Sequence, residues 1–311
     1  MDAKLVKKLR DMTGAGMMDC KKALVEADGD IDKAVDILRE KGEAKAIKKA
    51  DRVTAEGLVN LIITEDAKSA SMVEVNSETD FVAKNKDFQD FVQEMAQVVL
   101  EQKTGDMAAI NAAPFGSATV EEAVKEKVST IGENISFRRA AYMEQPEGAL
   151  VGYVHGGGRI AVVVSLKSDA SAEDLEVLGK DLAMQVASMN PKYISKDDVE
   201  QSYIDHEKEI LLSQAQNENE EEIKAGKKGK PEHIIEKMVE GRLQKELKEV
   251  VLLEQPFVKD GDLTVAQVIA NAAKALGKDI VLEAFVRYEV GEGLEKRTED
   301  FAAEVAAQMG N

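Results

Sequence analysis

Three histidines, His155, His206 and His233, and one cysteine, Cys20, are the side chains on which metal or imidazole chemistry would rest. They fall in separate stretches, and neither Cys-x-x-Cys nor His-Glu-x-x-His spacing occurs. No Gly-x-Ser-x-Gly elbow occurs either. Gly156-Gly157-Gly158 could cradle a phosphate, but no Lys-Ser/Thr follows and both flanks read as strands, so a hairpin turn is expected. Gly226-Lys227-Lys228-Gly229-Lys230 also lacks phosphate-loop spacing. Carboxylate pairs are abundant, and in so acidic a chain they mark solvated faces. The expectation is therefore no catalytic residue, no metal ligand and no cofactor.

One stretch could act on another molecule without such chemistry: Val75-Asn76-Ser77-Glu78-Thr79-Asp80-Phe81-Val82-Ala83-Lys84-Asn85. Met72-Val73-Glu74-Val75 alternates like a half-buried strand. Phe88, Phe91, Val92, Met95 and Val99 recur at helical spacing. Between strand and helix, an acid precedes a large aromatic. Phe81 could be a probe aimed at a partner. Spacing alone favours a staple or core residue, seven positions before Phe88 and on the same helical face.

The composition limits the partners. There are 41 Lys+Arg and 59 Asp+Glu, a net charge of −18. Phosphates repel such a chain, so direct nucleic-acid binding is not expected. Aromatics make up 4% with no Trp, which leaves few platforms for stacking bases. A lone cysteine forms no internal disulfide and suits a reducing compartment. Met1-Asp2-Ala3-Lys4-Leu5 has no apolar signal core and no run reaches membrane-spanning length, so a cytoplasmic location is expected.

The elements that would position these residues follow from periodicity. Three short helices are expected in residues 2–40. Leu5, Val6, Leu9 and Met12 face inward in the first, Ala23, Leu24 and Ala27 in the second, and Ile31, Ala34, Val35 and Leu38 in the third. Glycines at 14 and 16 break the first helix, and Asp30 caps the third. The Ala- and Lys-rich segment 43–55, with Lys45, Lys48, Lys49 and Arg52, reads as a solvated helical linker rather than a basic nucleic-acid arm. Leu58–Ile63 and Ser71–Val75 read as a strand pair, and Ile131–Arg139 as a third strand after a helix over Val120–Val128. Gly105–Ser117 reads as a small-residue loop.

The plan then repeats. Gly148-Ala149-Leu150-Val151 echoes Gly57-Leu58-Val59. Leu175, Leu178, Leu182 and Val186 match the spacing of Phe88, Phe91, Met95 and Val99. Leu276-Gly277-Lys278-Asp279-Ile280 echoes Ile131-Gly132-Glu133-Asn134-Ile135. The expected fold is α+β: a three-helix module, then two related units, each a three-stranded antiparallel sheet with helices on one face. A charged helical hairpin with its bend near Gly226–Pro231 interrupts the second unit. Ile204, Ile210, Leu211, Ile234, Ile235, Met238 and Leu243 would line its seam. A final helix carries Phe301, Val305 and Met309.

Several runs match one family in order. Thr13-Gly14-Ala15-Gly16-Met17-Met18-Asp19-Cys20-Lys21-Lys22-Ala23-Leu24 resembles the N-terminal signature of bacterial elongation factor Ts, and Glu78-Thr79-Asp80-Phe81-Val82-Ala83-Lys84 resembles the second signature. Ile131–Ile135, His155-Gly156, Lys237–Arg242, Gln255–Val258 and Asp300–Val305 match as well. The resemblance runs from end to end; one departure is the stretch Gln216–Lys228, longer than is usual in the family.

The resemblance implies a guanine-nucleotide exchange factor that binds elongation factor Tu, GDP-bound and nucleotide-free, and disturbs the partner's Mg²⁺ and phosphate site. It implies a ubiquitin-associated-like docking module at 1–42, a linker at 43–55, core units at 56–145 and 146–290, a coiled-coil hairpin at about 197–250 and a terminal module at 291–311. Thr79, Asp80, Phe81 and Val82 would be the Mg²⁺-dislocating segment. Met17, Met18, Lys21, Ile131, Gly132, His155, Met238, Val239 and Phe301 would bind the partner. A dimer through the hairpin is a further expectation. A ribosome- or RNA-associated helical protein using Lys45–Arg52 and Lys227–Lys230 is the alternative.

Overall fold

The computed structural model describes residues 2–295. Of the terminal module expected at 291–311, residues 291–295 are turn and irregular. The rest, Phe301 included, lies outside the described residues.

Helices α1 (Ala3–Thr13), α2 (Met17–Glu26) and α3 (Ile31–Ile47) open the chain. The Asp2 carboxylate accepts from the Lys4 amide at 3.0 Å, and that of Asp30 from the Asp32 and Lys33 amides at 3.0 and 3.2 Å. These caps satisfy amides that have no partner within the helix. Val6, Leu9, Cys20, Ala23, Leu24, Ala27 and Ala34 form a small core. Met12, expected to face inward, is exposed. No proline follows Leu38 and the single Gly42 is accommodated within the helix, so α3 continues to Ile47. Segment 43–55 is thus helical only in its first part and turns at 48–52.

The first unit contains β1 (Glu56–Ile63), β2 (Ser69–Ser77), α4 (Asp80–Ala83), α5 (Lys86–Gln102), α6 (Met107–Ala112), β3 (Pro114–Phe115), β4 (Ala118–Thr119), α7 (Val120–Ile131) and β5 (Ile135–Glu144). The second contains β6 (Gly148–His155), β7 (Ile160–Lys167), α8 (Ala172–Met189), α9 (Gln201–Lys224), α10 (Glu232–Val250), β8 (Pro256–Phe257), β9 (Asp260–Thr264), α11 (Val265–Leu276) and β10 (Val281–Glu289). The sheets run β1-β2-β5 and β6-β7-β10, all antiparallel. They share one plan, with α9 and α10 inserted into the second.

The repeat extends further than the sequence reading had it. The stretch expected as a loop, Gly105–Ser117, holds helix α6 and strand β3, which pairs with β4 just beyond it in a small hairpin; β8-β9 is its counterpart. Each leads into a helix through a reciprocal cap, Thr119 with Glu122 and Thr264 with Gln267. Each helix ends on a left-handed glycine, Gly132 at φ +86° and Gly277 at φ +63°. Gly132 therefore closes α7, and the third strand starts at Ile135 rather than Ile131. The matched Gly57 and Gly148 sit where a Cβ would meet a backbone oxygen of the paired strand, 2.2 Å from Val75 and 1.9 Å from Leu166.

Helices cover one face of each sheet. Phe88, Phe91, Val92, Met95 and Val99 pack with Leu58, Val73 and Val75. Leu175, Leu178, Leu182 and Val186 pack with Val151, Val162 and Val164. The alternate residues Val59, Ala70 and Met72 meet Leu150, Ala161, Val163 and Val290 in a third apolar layer. The sheets thus stack on each other, which is why the central strands are apolar on both faces. The inserted hairpin has a thin seam of Ala215, Ile235 and Val239, with Leu211 and Leu212 beside them. Ile210 and Ile234, expected in that seam, are 38% and 36% exposed. Among the described residues no helix is long and apolar enough to cross a membrane.

Candidate functional site

The turn from β2 to α5 is held from within by Ser77 Oγ, which donates to the Thr79 carbonyl at 3.0 Å, and from outside by the chain after α7. Thr79 has extended backbone and precedes α4. Its amide donates to Glu133 Oε2 at 3.0 Å and its hydroxyl to Glu133 Oε1 at 2.8 Å. Glu78 Oε1 accepts from the Asn134 amide at 2.6 Å, and Arg52 Nη1 lies 3.4 Å from it. The Asn134 side-chain amide donates to the carbonyls of Ala50 and Arg52 at 3.2 and 2.9 Å. Lys49 donates to the Gly132 carbonyl. The three residues after α7 thereby hold both the 78–79 turn and the chain arriving from α3.

Helix α4 is a single turn, so neighbouring side chains diverge by about 100°. Val82 and Ala83 face the core, at 7% and 9% exposure, while Phe81 is 78% exposed. The core reading of Phe81 is therefore wrong: Val82 takes the inward position and Phe88 is the buried aromatic. Lys84 Nζ lies 2.6 Å from Asp80 Oδ2 and 5.8 Å from the Phe81 ring centroid. The Lys84 hydrogen bond holds the Asp80 carboxyl below the usual carboxylate range, and Arg159 adds a smaller attraction. Asn85 then caps α5 by accepting from the Asp87 amide at 2.8 Å.

The other expected residues are spread over several elements. Met17, Met18 and Lys21 are exposed on the outer face of α2, with Val25 further along it. Ile131 is half-buried at the end of α7 and Gly132 is its exposed cap. His155 is exposed at the end of β6, with Nδ1 2.8 Å from the Tyr153 hydroxyl. The following turn reaches the first unit: the Val59 amide donates to the Gly158 carbonyl at 2.7 Å, and Arg159 lies 3.4 Å from Glu56. Met238 is half-buried on α10. Val239 is only 1% exposed and belongs to the hairpin seam, so its side chain is not presented on the surface. The structure brings 79–82 and 131–132 together through Glu133, whereas Met17, Met18, Lys21 and Met238 lie on other elements.

Sequence reasoning assigned no role to Glu78, Glu133 or Asn134. The signal was present in the quoted runs: a Gly-Glu-Asn turn after one helix and a Glu-Thr turn before another. Three of the basic residues of the linker, which the alternative reading would make a nucleic-acid arm, have partners within the chain: Lys45 pairs with Asp19 at 2.8 Å, Lys49 with Gly132 and Arg52 with Glu78. Among the described residues no group of three or more His, Cys, Asp and Glu could hold a metal ion.

The family model described as Elongation factor TS matches residues 78–292, opening on Glu78 itself. Elongation factor Ts of Clostridioides difficile (strain 630) is 54% identical over 308 residues, which covers 99% of this chain and 98% of the relative. Elongation factor Ts of Clostridium botulinum (strain Eklund 17B / Type B) is 49% identical over 311 residues, covering 100% and 99%. Elongation factor Ts of Syntrophotalea carbinolica is 47% identical over 308 residues, covering 98% of each chain.

Proposed function

The chain belongs to the elongation factor Ts family of translation elongation factors, and from that premise we propose that it is the guanine-nucleotide exchange factor of elongation factor Tu. The observation that carries this reading is Phe81, a large aromatic 78% exposed on a turn whose backbone is pinned by Glu133. Exposing a phenylalanine in water has no folding benefit, and a place to bury it on a partner supplies one.

A GTPase holds its nucleotide through backbone amides, a lysine and a Mg²⁺ ion bridging the phosphates. Phe81 entering beside that site, with Asp80 at its side, displaces the elements that support the Mg²⁺ and lowers nucleotide affinity. Linkage requires that the nucleotide weaken the factor's binding by the same factor. Burying one phenylalanine contributes about 1.5–3 kcal/mol. At about 1.4 kcal/mol per decade, that is about two decades of loosening at most. The remainder comes from contacts elsewhere: Met17, Met18 and Lys21 on α2, Ile131 and Gly132 after α7, His155 at the β6-β7 turn, and Met238 on the hairpin. The factor forms no covalent bond and transfers no proton; its side chains compete for position.

The test is to mix the protein with elongation factor Tu carrying labelled GDP and to follow label release. Accelerated release, with a stable complex once nucleotide is gone, supports exchange. An unchanged release rate over a wide range of protein concentrations rejects it.

A further inference from the structure

We propose that Glu133 and Asn134 are positioning residues that set the presentation of Asp80 and Phe81 and tie it to the segment arriving from the N-terminal helices. The proposal rests on the exchange reading above and assigns how the proposed probe is held.

Phe81 cannot hold itself in place. It is 78% exposed, and its neighbour is the flexible end of Lys84. Helix α4 is one turn long, too short to be stable alone, and Thr79 makes no side-chain cap to it. The Thr79 hydroxyl, which would ordinarily cap the helix, donates instead to Glu133 Oε1, while the Thr79 amide donates to Oε2 of the same carboxylate. Two bonds to one planar carboxylate fix both the rotamer and the peptide plane of the residue before Asp80. Ser77 Oγ donates to the Thr79 carbonyl at 3.0 Å from within the turn, and the hold from outside it comes from a residue 54 positions away in sequence.

Asn134 extends this hold to the N-terminal side. It is 8% exposed. Its side chain grips the carbonyls of Ala50 and Arg52, and its backbone amide grips Glu78. Arg52 reaches the same Glu78 carboxylate. The 50–52 segment and the probe turn are therefore anchored on one dipeptide, so neither can shift without breaking bonds to the other.

The second unit provides an internal control. Its turn at the matching place, Gly277-Lys278-Asp279, has a lysine where Glu133 stands. Lysine accepts no hydrogen bond. The matching strand-to-helix turn, 168–171, closes on itself, with the Ala170 amide donating to Ser168 Oγ and Ser171 capping α8. The shared plan folds without the clamp. Its presence in the unit that carries Phe81 assigns it to presentation rather than to the architecture.

The experiment compares full-length Phe81→Ala, Glu133→Ala, Glu133→Gln and Phe81→Ala/Glu133→Ala in labelled-GDP release from elongation factor Tu, each with a thermal melt. Glu133→Ala is expected to lower the maximal release rate about ten-fold, as misplacing a positioned group does. The half-saturating concentration should stay within about two-fold, because the docking surfaces are untouched. Glu133→Gln keeps one acceptor and should recover part of the loss. In the Phe81→Ala background the Glu133→Ala change should have little further effect, since it acts through Phe81. If Glu133→Ala is unfolded at the assay temperature, Thr79→Val, which removes only the hydroxyl bond, carries the same expectation at smaller size. An undiminished Glu133 effect without Phe81, or an unchanged maximal rate in Glu133→Ala or its substitute, overturns the proposal. If the parent protein itself does not accelerate release, the exchange reading has failed instead; if it does and Phe81→Ala leaves release unchanged, there is no probe to position and the proposal is overturned.

Discussion

The amide of Gly291 donates to Oε1 of Glu74 at 2.8 Å, a bond that spans 217 positions of sequence. Glu74 is on the central strand of the first sheet and its side chain is fully buried. Arg138 Nη1 lies 3.0 Å from one of its oxygens and Arg139 Nε 2.5 Å from the other. Arg139 in turn stacks on Tyr288, with its guanidinium 4.1 Å from the ring centroid. One carboxylate thus joins β2, β5 and the chain leaving β10.

Replacing Glu74 with alanine leaves two guanidinium groups without their buried partner and the Gly291 amide without an acceptor. Arg138 keeps the Glu292 carbonyl and Arg139 keeps Glu289 and Glu292, so the loss should fall below the about 3–5 kcal/mol of a fully buried pair broken on one side. Urea denaturation of Glu74→Ala beside the parent protein measures it. Glu74→Gln, which keeps the acceptor, should lose less. A Glu74→Ala protein as stable as the parent would show that the network contributes nothing.

Phe81→Ala should leave the fold intact, because a side chain this exposed leaves no cavity when truncated. The expected change in stability is under ~1 kcal/mol. Nucleotide release should fall by about one to two decades, the amount one buried phenylalanine can supply. A melt and a release assay on the same preparation decide it. A large drop in melting temperature with near-normal release would mean that Phe81 serves the fold after all.

Asp80 titrates below an ordinary aspartate because Lys84 donates a hydrogen bond to its charged form. The sign follows: the pair's contribution is complete above the ordinary aspartate value of about 3.9 and is lost as pH falls through the lowered one. Between pH 5 and 8 (roughly the range of most assays) this pair should therefore leave stability flat. A carbon-detected titration of the Asp80 carboxyl should give a midpoint below the ordinary value, and Lys84→Ala should raise it. A midpoint unmoved by Lys84→Ala would rule out the ion pair as the cause.

Val239 and Met238 are adjacent on α10 and should behave oppositely. Val239→Ala removes two buried carbons from a thin seam, a loss of about 1.5 kcal/mol at ~0.8 kcal/mol each. Amide exchange along α9 and α10 should quicken. Met238→Ala should leave that exchange unchanged and weaken complex formation with elongation factor Tu. Protection of the hairpin amides in Val239→Ala equal to that of the parent would place its stability elsewhere.

Periodicity and repetition in the sequence were enough to determine the α+β class. Residues at i, i+3 and i+4 made Phe88–Val99 and Leu175–Val186 helices, alternation made Leu58–Ile63 a strand, and the Gly57 and Gly148 echoes revealed two copies of one plan. These are local signals, fixed by backbone geometry within a few residues. The family resemblance, too, was legible from ordered motifs alone. The orientation of Phe81 was not, because the seven-residue spacing to Phe88 implies a shared face only within one continuous helix, and the chain breaks at Lys84–Asn85 between α4 and α5. Glu133 and Asn134, reaching Thr79 and Glu78 across the fold, join the local Ser77 bond to the Thr79 carbonyl in holding that single turn, with Val82 toward the core and Phe81 toward solvent. Val239 was misplaced for the same reason: its motif identified a conspicuous helix, and the packing of Ala215 and Ile235 against it decided which side of that helix was closed. The stacking of the two sheets likewise required both sets of alternate residues to meet, a pairing that no single strand encodes.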